Sequence, residues 1–339
     1  MNIKHSDMTN RKTLKKFFSS RQNEQAKRFG YQSDTPGYVI PVNMSADGLL
    51  SNFRVAVVQT LMPYVKDFSE THPTEWSPEY RAKHRAHLAA TCRLISQKLR
   101  AGQVANRTSN ENRNNKIDLI VFPELSVHPE DVDILERLSD TTNATIFAGL
   151  TFVKHPHSGE VINKAVWIIR QRIGRTRRLQ RIYQGKKFPM LLEEKLGVVG
   201  HRPYQLIIEF TDKARKKACL TGSICFDATD LRLVADFREI TDGYVIAALN
   251  KDISTFDNMA AALQFHMYQH VIIANTGEYG GSTAQAPYHE PFHRNIAHVH
   301  GNHQAAVSLF ELDLLAFKTG KKAKLLRDIK SPPAGYRGR

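Results

Sequence analysis

The chain has 339 residues and a mass of 38.5 kDa, enough for one α/β domain of about 250–300 residues plus extensions. Its 41% hydrophobic and 24% charged residues exclude a mostly disordered, collagen-like or membrane-integral chain. No apolar run approaches the roughly 18 residues that a spanning helix needs.

Lys and Arg number 48 against 33 Asp and Glu, leaving +15, and the excess is concentrated. Residues 1–50 carry 8 basic and 4 acidic residues, 164–187 carry 9 basic and none acidic, and 318–339 carry 8 basic and 1 acidic. The remainder is slightly acidic. A field of that sign attracts phosphates and other anions; the same runs also serve as solvated faces. The first residues lack the apolar segment of a secretory signal. Three cysteines make no disulfide framework and suit a reducing compartment, so a cytoplasmic location is expected.

In chain order, residues 1–50 read as a basic N-terminal extension, followed by a single domain over 51–317 and a basic tail over 318–339. Arg54–Gln59 is a continuous apolar run, the mark of a buried strand. Residues 83–101 predict a helix with Leu88, Thr91, Cys92, Ile95 and Leu99 on one face, Gly102 stopping it and Cys92 in the core. Residues 102–116 are polar and Asn-rich and predict a flexible insertion. Ile117–Glu124 predicts a second buried strand, ending on a carboxylate. Pro129 opens a helix carrying Val132, Leu135 and Leu138. Thr145–Leu150 predicts another strand, and Ala165–Arg170 and Leu179–Tyr183 predict an antiparallel pair turning near Gly174. Further strands are expected at 205–210, 218–225, 244–249, 271–275 and 305–312, with helices over 229–238 and 257–269. This alternation predicts a layered α/β fold.

Three strand ends carry chemistry. Glu124 ends Leu-Ile-Val-Phe-Pro-Glu, Lys186 follows the run ending at Tyr183, and Cys225 ends Leu-Thr-Gly-Ser-Ile-Cys. A thiol with an ordinary pKa near 8.5 is mostly protonated at neutral pH and needs a base or cation beside it. A carboxylate can accept its proton and later activate water, and an ammonium can stabilise an oxyanion. Taken singly, each has a plainer reading: a surface acid, a solvated lysine, a small buried hydrophobe.

In order and spacing, Phe122-Pro123-Glu124, Lys186-Lys187-Phe188-Pro189 with Glu193, and Cys225-Phe226-Asp227 resemble the nitrilase (carbon–nitrogen hydrolase) superfamily. Arg54–Gln59, Asn163 with the strand after it, and Val271–Asn275 followed by Gly280-Gly281-Ser282 agree, so the resemblance covers about residues 53–316. It implies an α/β four-layer α-β-β-α sandwich, a homodimer or higher oligomer, and hydrolysis of a non-peptide carbon–nitrogen bond, an amide ahead of a nitrile. It implies Cys225 as nucleophile, Glu124 as acid and base, Lys186 with the Phe226 backbone N–H at the oxyanion, Glu193 positioning substrate, and neither cofactor nor metal. Spacing to Pro189 favours Lys186, with Lys187 as the alternate. The chain departs from the family pattern at Ala228–Arg232, at Asn250-Lys251 and around Phe265, His266 and Tyr268, which leaves the substrate open.

Arg170, Arg172, Arg175, Arg177 and Arg178, with Arg181, form a candidate anion-binding hairpin toward an anionic substrate, nucleic acid or another polyanion. No zinc finger or RNA-binding signature accompanies them. His298-Val299-His300 places two imidazoles on one strand face, but no acid or cysteine completes a metal-binding spacing. Two other readings remain open: an adaptor acting through its basic segments, and an acyltransferase in which an amine replaces water.

Overall fold

Short apolar runs recur along this sequence, and most become strands covered on both faces. The structure is a computed structural model describing residues 35–44, 48–61, 73–105, 116–173, 176–318 and 328–338, with Lys16, Ser19, Ser20 and Asn23 before them. The first half runs β1 (Gly37–Asn43), β2 (Phe53–Gln59), α1 (Pro78–Ala105), β3 (Leu119–Val127), α2 (Val132–Thr142), β4 (Thr145–Leu150), β5 (Val153–Lys154), β6 (Val161–Ile162), β7 (Lys164–Ile173) and β8 (Thr176–Gly185). The second half runs α3 (Leu191–Lys195), β9 (Val198–Val199), β10 (Gln205–Thr211), β11 (Lys217–Ile224), α4 (Leu231–Phe237), β12 (Gly243–Ala247) and α5 (Ile253–His266). It closes with β13 (His270–Ala274), β14 (Ser282–Gln285), α6 (Pro291–Arg294), β15 (Asn295–Val299) and β16 (Ala306–Leu312).

Seven strands form one sheet in the order β1-β10-β11-β12-β13-β14-β15, and six form a second in the order β16-β2-β3-β4-β7-β8. Successive residues of a strand point to opposite faces, so β2 divides its apolar run between two cores. Val55 and Val57 join Leu119, Val121, Phe147 and Trp167 against Leu206, Ile208, Leu220 and Ile272 of the facing sheet. Ala56 and Val58 join Ile120, Phe122 and Ile146 under Leu88 and Ile95 of α1 and Leu135 and Leu138 of α2. On the far side, Leu233 and Phe237 of α4 and Phe256, Ala260 and Leu263 of α5 cover the seven-stranded sheet. The result is the four-layer α-β-β-α sandwich. Burial on both faces is why these strands read as near-continuous apolar runs. Gly222 of β11 lies where two large rings of the facing sheet meet it: a Cβ there would be 2.8 Å from Phe147 and 3.0 Å from Trp167.

Several boundaries differ from expectation. Gly37–Asn43 falls within the residues assigned to an N-terminal extension, yet it pairs in parallel with β10 and sends Val42 into the inter-sheet core. Helix α1 runs through Gly102 to Ala105; the rest of the expected insertion, 106–115, lies outside the described residues. Within the expected tail, Ile329 bridges Tyr288, while Tyr336 packs edge-on against Tyr268. The Tyr268 hydroxyl donates to the Lys330 carbonyl, so residues 328–338 close over a small aromatic cluster. Strands β5, β6 and β9 form a small third sheet that no apolar run foreshadowed. Cys92 of α1 faces the core as expected, and burial pushes its thiol up to about 12.

Candidate active site

The three residues come from β3, β8 and β11: Lys186 and Cys225 directly follow β8 and β11, while Glu124 lies three residues before the end of β3, which runs on to Val127 instead of ending on the carboxylate as expected. Glu124 lies on β3, its amide donating to the Ala248 carbonyl (3.3 Å) just past β12. Lys186 follows β8, its amide donating to the Asn163 carbonyl (3.0 Å). Cys225 follows β11 at a positive φ of 44°, a left-handed conformation that is strained for a residue with a Cβ. All three side chains are buried.

Two glycines make these approaches possible. A Cβ on Gly149 of β4 would lie 2.4 Å from the Glu124 Cα, and one on Gly185 would lie 1.6 Å from the His201 carbonyl oxygen. That second contact brings His201 close enough to donate its amide to the Lys186 carbonyl (2.7 Å), fixing the lysine from both sides.

The side chains form one network. Lys186 Nζ donates to Glu124 Oε1 at 2.9 Å and to Glu193 Oε2. Asn163 Nδ2 bridges the same carboxylates, donating to Glu124 Oε1 and Glu193 Oε1, each at 2.7 Å. Glu193 also accepts the Met190 amide (2.7 Å), which holds the first turn of α3 beside the lysine. Cys225 Sγ donates to the Leu249 carbonyl at 3.7 Å. Lys187, the alternate lysine, instead places its ammonium 5.2 Å from the ring centre of Phe188, so the carboxylates converge on Lys186.

Asp227 ties the cysteine turn to the lysine loop. Its carboxylate accepts the amides of Lys187 (2.9 Å) and Phe188 (2.8 Å) and a bond from Arg202 Nη1 (2.9 Å). Arg202 and Asp227 are both buried, an ion pair supported by further hydrogen bonds. Asp227 closes the Cys225-Phe226-Asp227 motif, but Arg202 lies in no motif, so the pair did not stand out in the sequence.

Burial dominates the electrostatics. It pushes the Cys225 thiol well up, and the Glu124 charge adds to this while Lys186 opposes it. Burial also raises the Glu124 carboxyl; Lys186 pulls it back and Glu193 adds to the rise. For Lys186, burial disfavours the ammonium, but Glu124, Cys225 and Glu193 outweigh it and hold the group charged. The resting arrangement is a neutral thiol beside two carboxyl groups and one ammonium, suited to moving the thiol proton onto Glu124 when an electrophile arrives. Phe226 is exposed, and its amide opens the helical turn that starts at Cys225, where the first amides have no acceptor within the turn.

Two arginines of the hairpin are tied to α2, and Arg170 among them differs from expectation. Arg170 donates to the Asn143 side chain (2.8 Å) and the Ser139 carbonyl (3.3 Å) and pairs with Asp140 at 2.5 Å. It caps the C-terminal end of α2, where carbonyls lack helical partners, and is not presented to an anion. Arg181 pairs with Glu136. Arg172 and Arg177 are paired in register on β7 and β8, Arg178 is exposed, and Arg175 lies outside the described residues. His298 pairs with Asp257 at 2.9 Å. At the departures from the family pattern, Asn275 joins two strand ends, accepting the Asn250 amide (2.9 Å) and donating to its carbonyl (2.7 Å).

No protein-family model matches the chain, and no curated protein does. Solved structures do. Nit3 of Saccharomyces cerevisiae, a member of branch 10 of the nitrilase superfamily, is 12% identical, with 81% of this chain and 95% of that one covered at a TM-score of 0.51. A double mutant of the amidase from Nesterenkonia sp. AN1, in complex with acrylamide, is 13% identical over 80% and 95% of the two chains, with a TM-score of 0.50. Another mutant of that amidase carries the acetamide moiety of fluoroacetamide on its active-site cysteine; it is 15% identical over 83% and 99%, with a TM-score of 0.50. With its four layers and strand order, the chain has the fold of the nitrilase, or carbon–nitrogen hydrolase, superfamily.

Proposed function

We propose that the chain hydrolyses a non-peptide carbon–nitrogen bond, as an amidase working through a cysteine thioester. The observation that carries this reading is the convergence of Glu124, Lys186 and Cys225 from three separate strands on one buried site. The likeness to an amidase mutant whose active-site cysteine adds the acetamide moiety of fluoroacetamide supports a nucleophilic cysteine at this position.

Glu124 accepts the thiol proton as Sγ forms its bond to the amide carbon. Lys186 and the Phe226 N–H hold the oxyanion, donors worth roughly 3–4 kcal/mol in a dry site. The Glu124 carboxylic acid then protonates the nitrogen, the C–N bond breaks, and ammonia or an amine leaves. Water gives a proton to Glu124 and attacks the thioester carbon; the S–C bond breaks, and the thiolate recovers the proton as the acid is released. Glu193 and Asn163 position Lys186 and Glu124 through the bonds described above.

The test is ammonia release across small amides and nitriles, with Cys225→Ala and Glu124→Gln as folded controls. Release by the wild type alone is expected. Substantial release by Cys225→Ala overturns the mechanism. An acyl-enzyme that turns over only with added amine reassigns the chain to acyl transfer.

A further inference from the structure

Both backbone bonds that hold Lys186 lead to the small sheet of β5, β6 and β9. The Lys186 amide donates to the Asn163 carbonyl (3.0 Å), and Asn163 directly follows β6. The Lys186 carbonyl accepts the His201 amide (2.7 Å), and His201 lies two residues past β9. Strands β6 and β9 pair in parallel, so the two anchors leave the sheet from neighbouring strands. The approach is close: a Cβ on Gly200 would lie 2.1 Å from the Lys187 carbonyl oxygen. Arg202, next in the chain, holds Asp227.

The tip of the β5–β6 hairpin reaches this brace through a pair of imidazoles. The His155 and His201 ring centres lie 4.6 Å apart, and His157 stands 5.7 Å from His155. The hairpin is closed at His155, whose amide donates to the Glu160 carbonyl (2.7 Å) and whose carbonyl accepts the Gly159 amide (2.9 Å). The Ser158 amide donates to His155 Nδ1 (3.2 Å), so that nitrogen is the acceptor of a neutral ring. A second proton on the ring goes to Nδ1, displaces that donor and sets a cation against His201. Burial first, then His155 and Lys164, hold His201 below the ordinary histidine value, while Glu160 opposes them. The folded chain therefore resists a proton here, and the brace weakens as pH falls below the ordinary value.

We infer that the His155–His201 pair is a positioning element for Lys186, and that it holds the lysine in place only while both imidazoles are neutral. This rests on the amidase reading, and the experiment separates the two. Ammonia release from the fastest amide of the series above is followed from about pH 7.5 to about pH 5.5, across the ordinary histidine value, for the wild type and His155→Gln. Glutamine keeps an acceptor for the Ser158 amide and takes no proton. Two charges at this separation in water-like surroundings are worth about fivefold, so wild-type kcat falls about fivefold further than that of His155→Gln. The titration of Glu124 is common to both proteins and cancels in the comparison. Lys186 acts on the oxyanion, so the difference lies in kcat and not in KM. A merely structural contact lowers kcat of the variant by the same factor at every pH. The His201 imidazole, read by NMR of labelled histidine, titrates at higher pH in His155→Gln than in the wild type. Equal pH ratios in the two proteins, a loss confined to KM, or an unmoved His201 titration overturns the positioning role while leaving the hydrolase standing. If no amide releases ammonia, the hydrolase reading falls, and alkylation of Cys225 by iodoacetamide, followed by peptide mass, takes the place of kcat, because the Lys186 charge favours the thiolate. The same excess loss in the wild type supports the positioning role, and equal ratios overturn it.

Discussion

Asp227→Asn tests whether the clip between the cysteine turn and the lysine loop organises the site. The wild-type carboxylate accepts two amides and one guanidinium N–H, all at 2.8–2.9 Å at their shortest. An asparagine has one acceptor and one donor end, so whichever way its amide turns, an NH2 group meets N–H donors. Arg202 is left buried with only the more distant Asp230 carboxylate (3.9 Å) as counter-charge, which costs up to about 3–5 kcal/mol. An unfolding entropy of about 2.1 cal/mol/K per residue over this 339-residue chain corresponds to a fall in Tm of about 4–7 °C. Lys186 is the residue next to the clip, and a displacement of about 1 Å there lowers turnover about 100-fold. Calorimetry and ammonia release at one pH read the two effects. The double variant Asp227→Asn with Arg202→Gln restores a neutral hydrogen-bonded pair and recovers about 1–3 kcal/mol relative to the sum of the single variants. An unchanged Tm in Asp227→Asn, or strictly additive losses in the double variant, refutes the argument.

Three further outcomes are expected. Because burial raises the Glu124 carboxyl and the base must be ionised, kcat/KM rises with pH along a limb lying above the ordinary glutamate value of 4.5; a limb at or below that value contradicts the assignment. Gly149→Ala forces a Cβ to within 2.4 Å of the Glu124 backbone, so it lowers stability by about 1–3 kcal/mol and lowers turnover; wild-type values for both in denaturant titration and ammonia release would disprove the close approach. Burial raises Asp118 from 3.8 to about 6, so the folded chain binds that proton more tightly than the unfolded one. The stability it contributes is present below the unfolded value and is lost as pH rises toward 6, so the wild-type Tm falls relative to Asp118→Asn across that interval, and parallel Tm curves would show otherwise.

The layers were legible because strands buried on both faces must be apolar throughout, as Arg54–Gln59 and Ile117–Phe122 are. Glu124, Lys186 and Cys225 were legible because polar residues that end such runs stand out against them. The Arg202–Asp227 pair was not, since its members lie 25 residues apart and neither interrupts an apolar run in a telling way. Strand β1 was hidden by Pro41, which an edge strand tolerates and a central one does not. The small sheet of β5, β6 and β9 was hidden for another reason: its strands are two residues each, with no period to detect. Arg170 was misjudged because its partners include the backbone carbonyl of Ser139 near the end of α2, and sequence does not advertise where a helix leaves a carbonyl unmatched.

The pairing of β16 with β2 places Arg54 against Glu311, 257 residues later in the chain. At a synthesis rate of about 5–20 residues per second, β2 waits roughly ten to fifty seconds for the strand that covers its edge. During that interval Val-Ala-Val-Val carries unsatisfied backbone groups along a flat apolar ribbon, a template for pairing with another nascent chain. The yield of this protein during translation is therefore governed by how that edge is shielded before residue 306 is made.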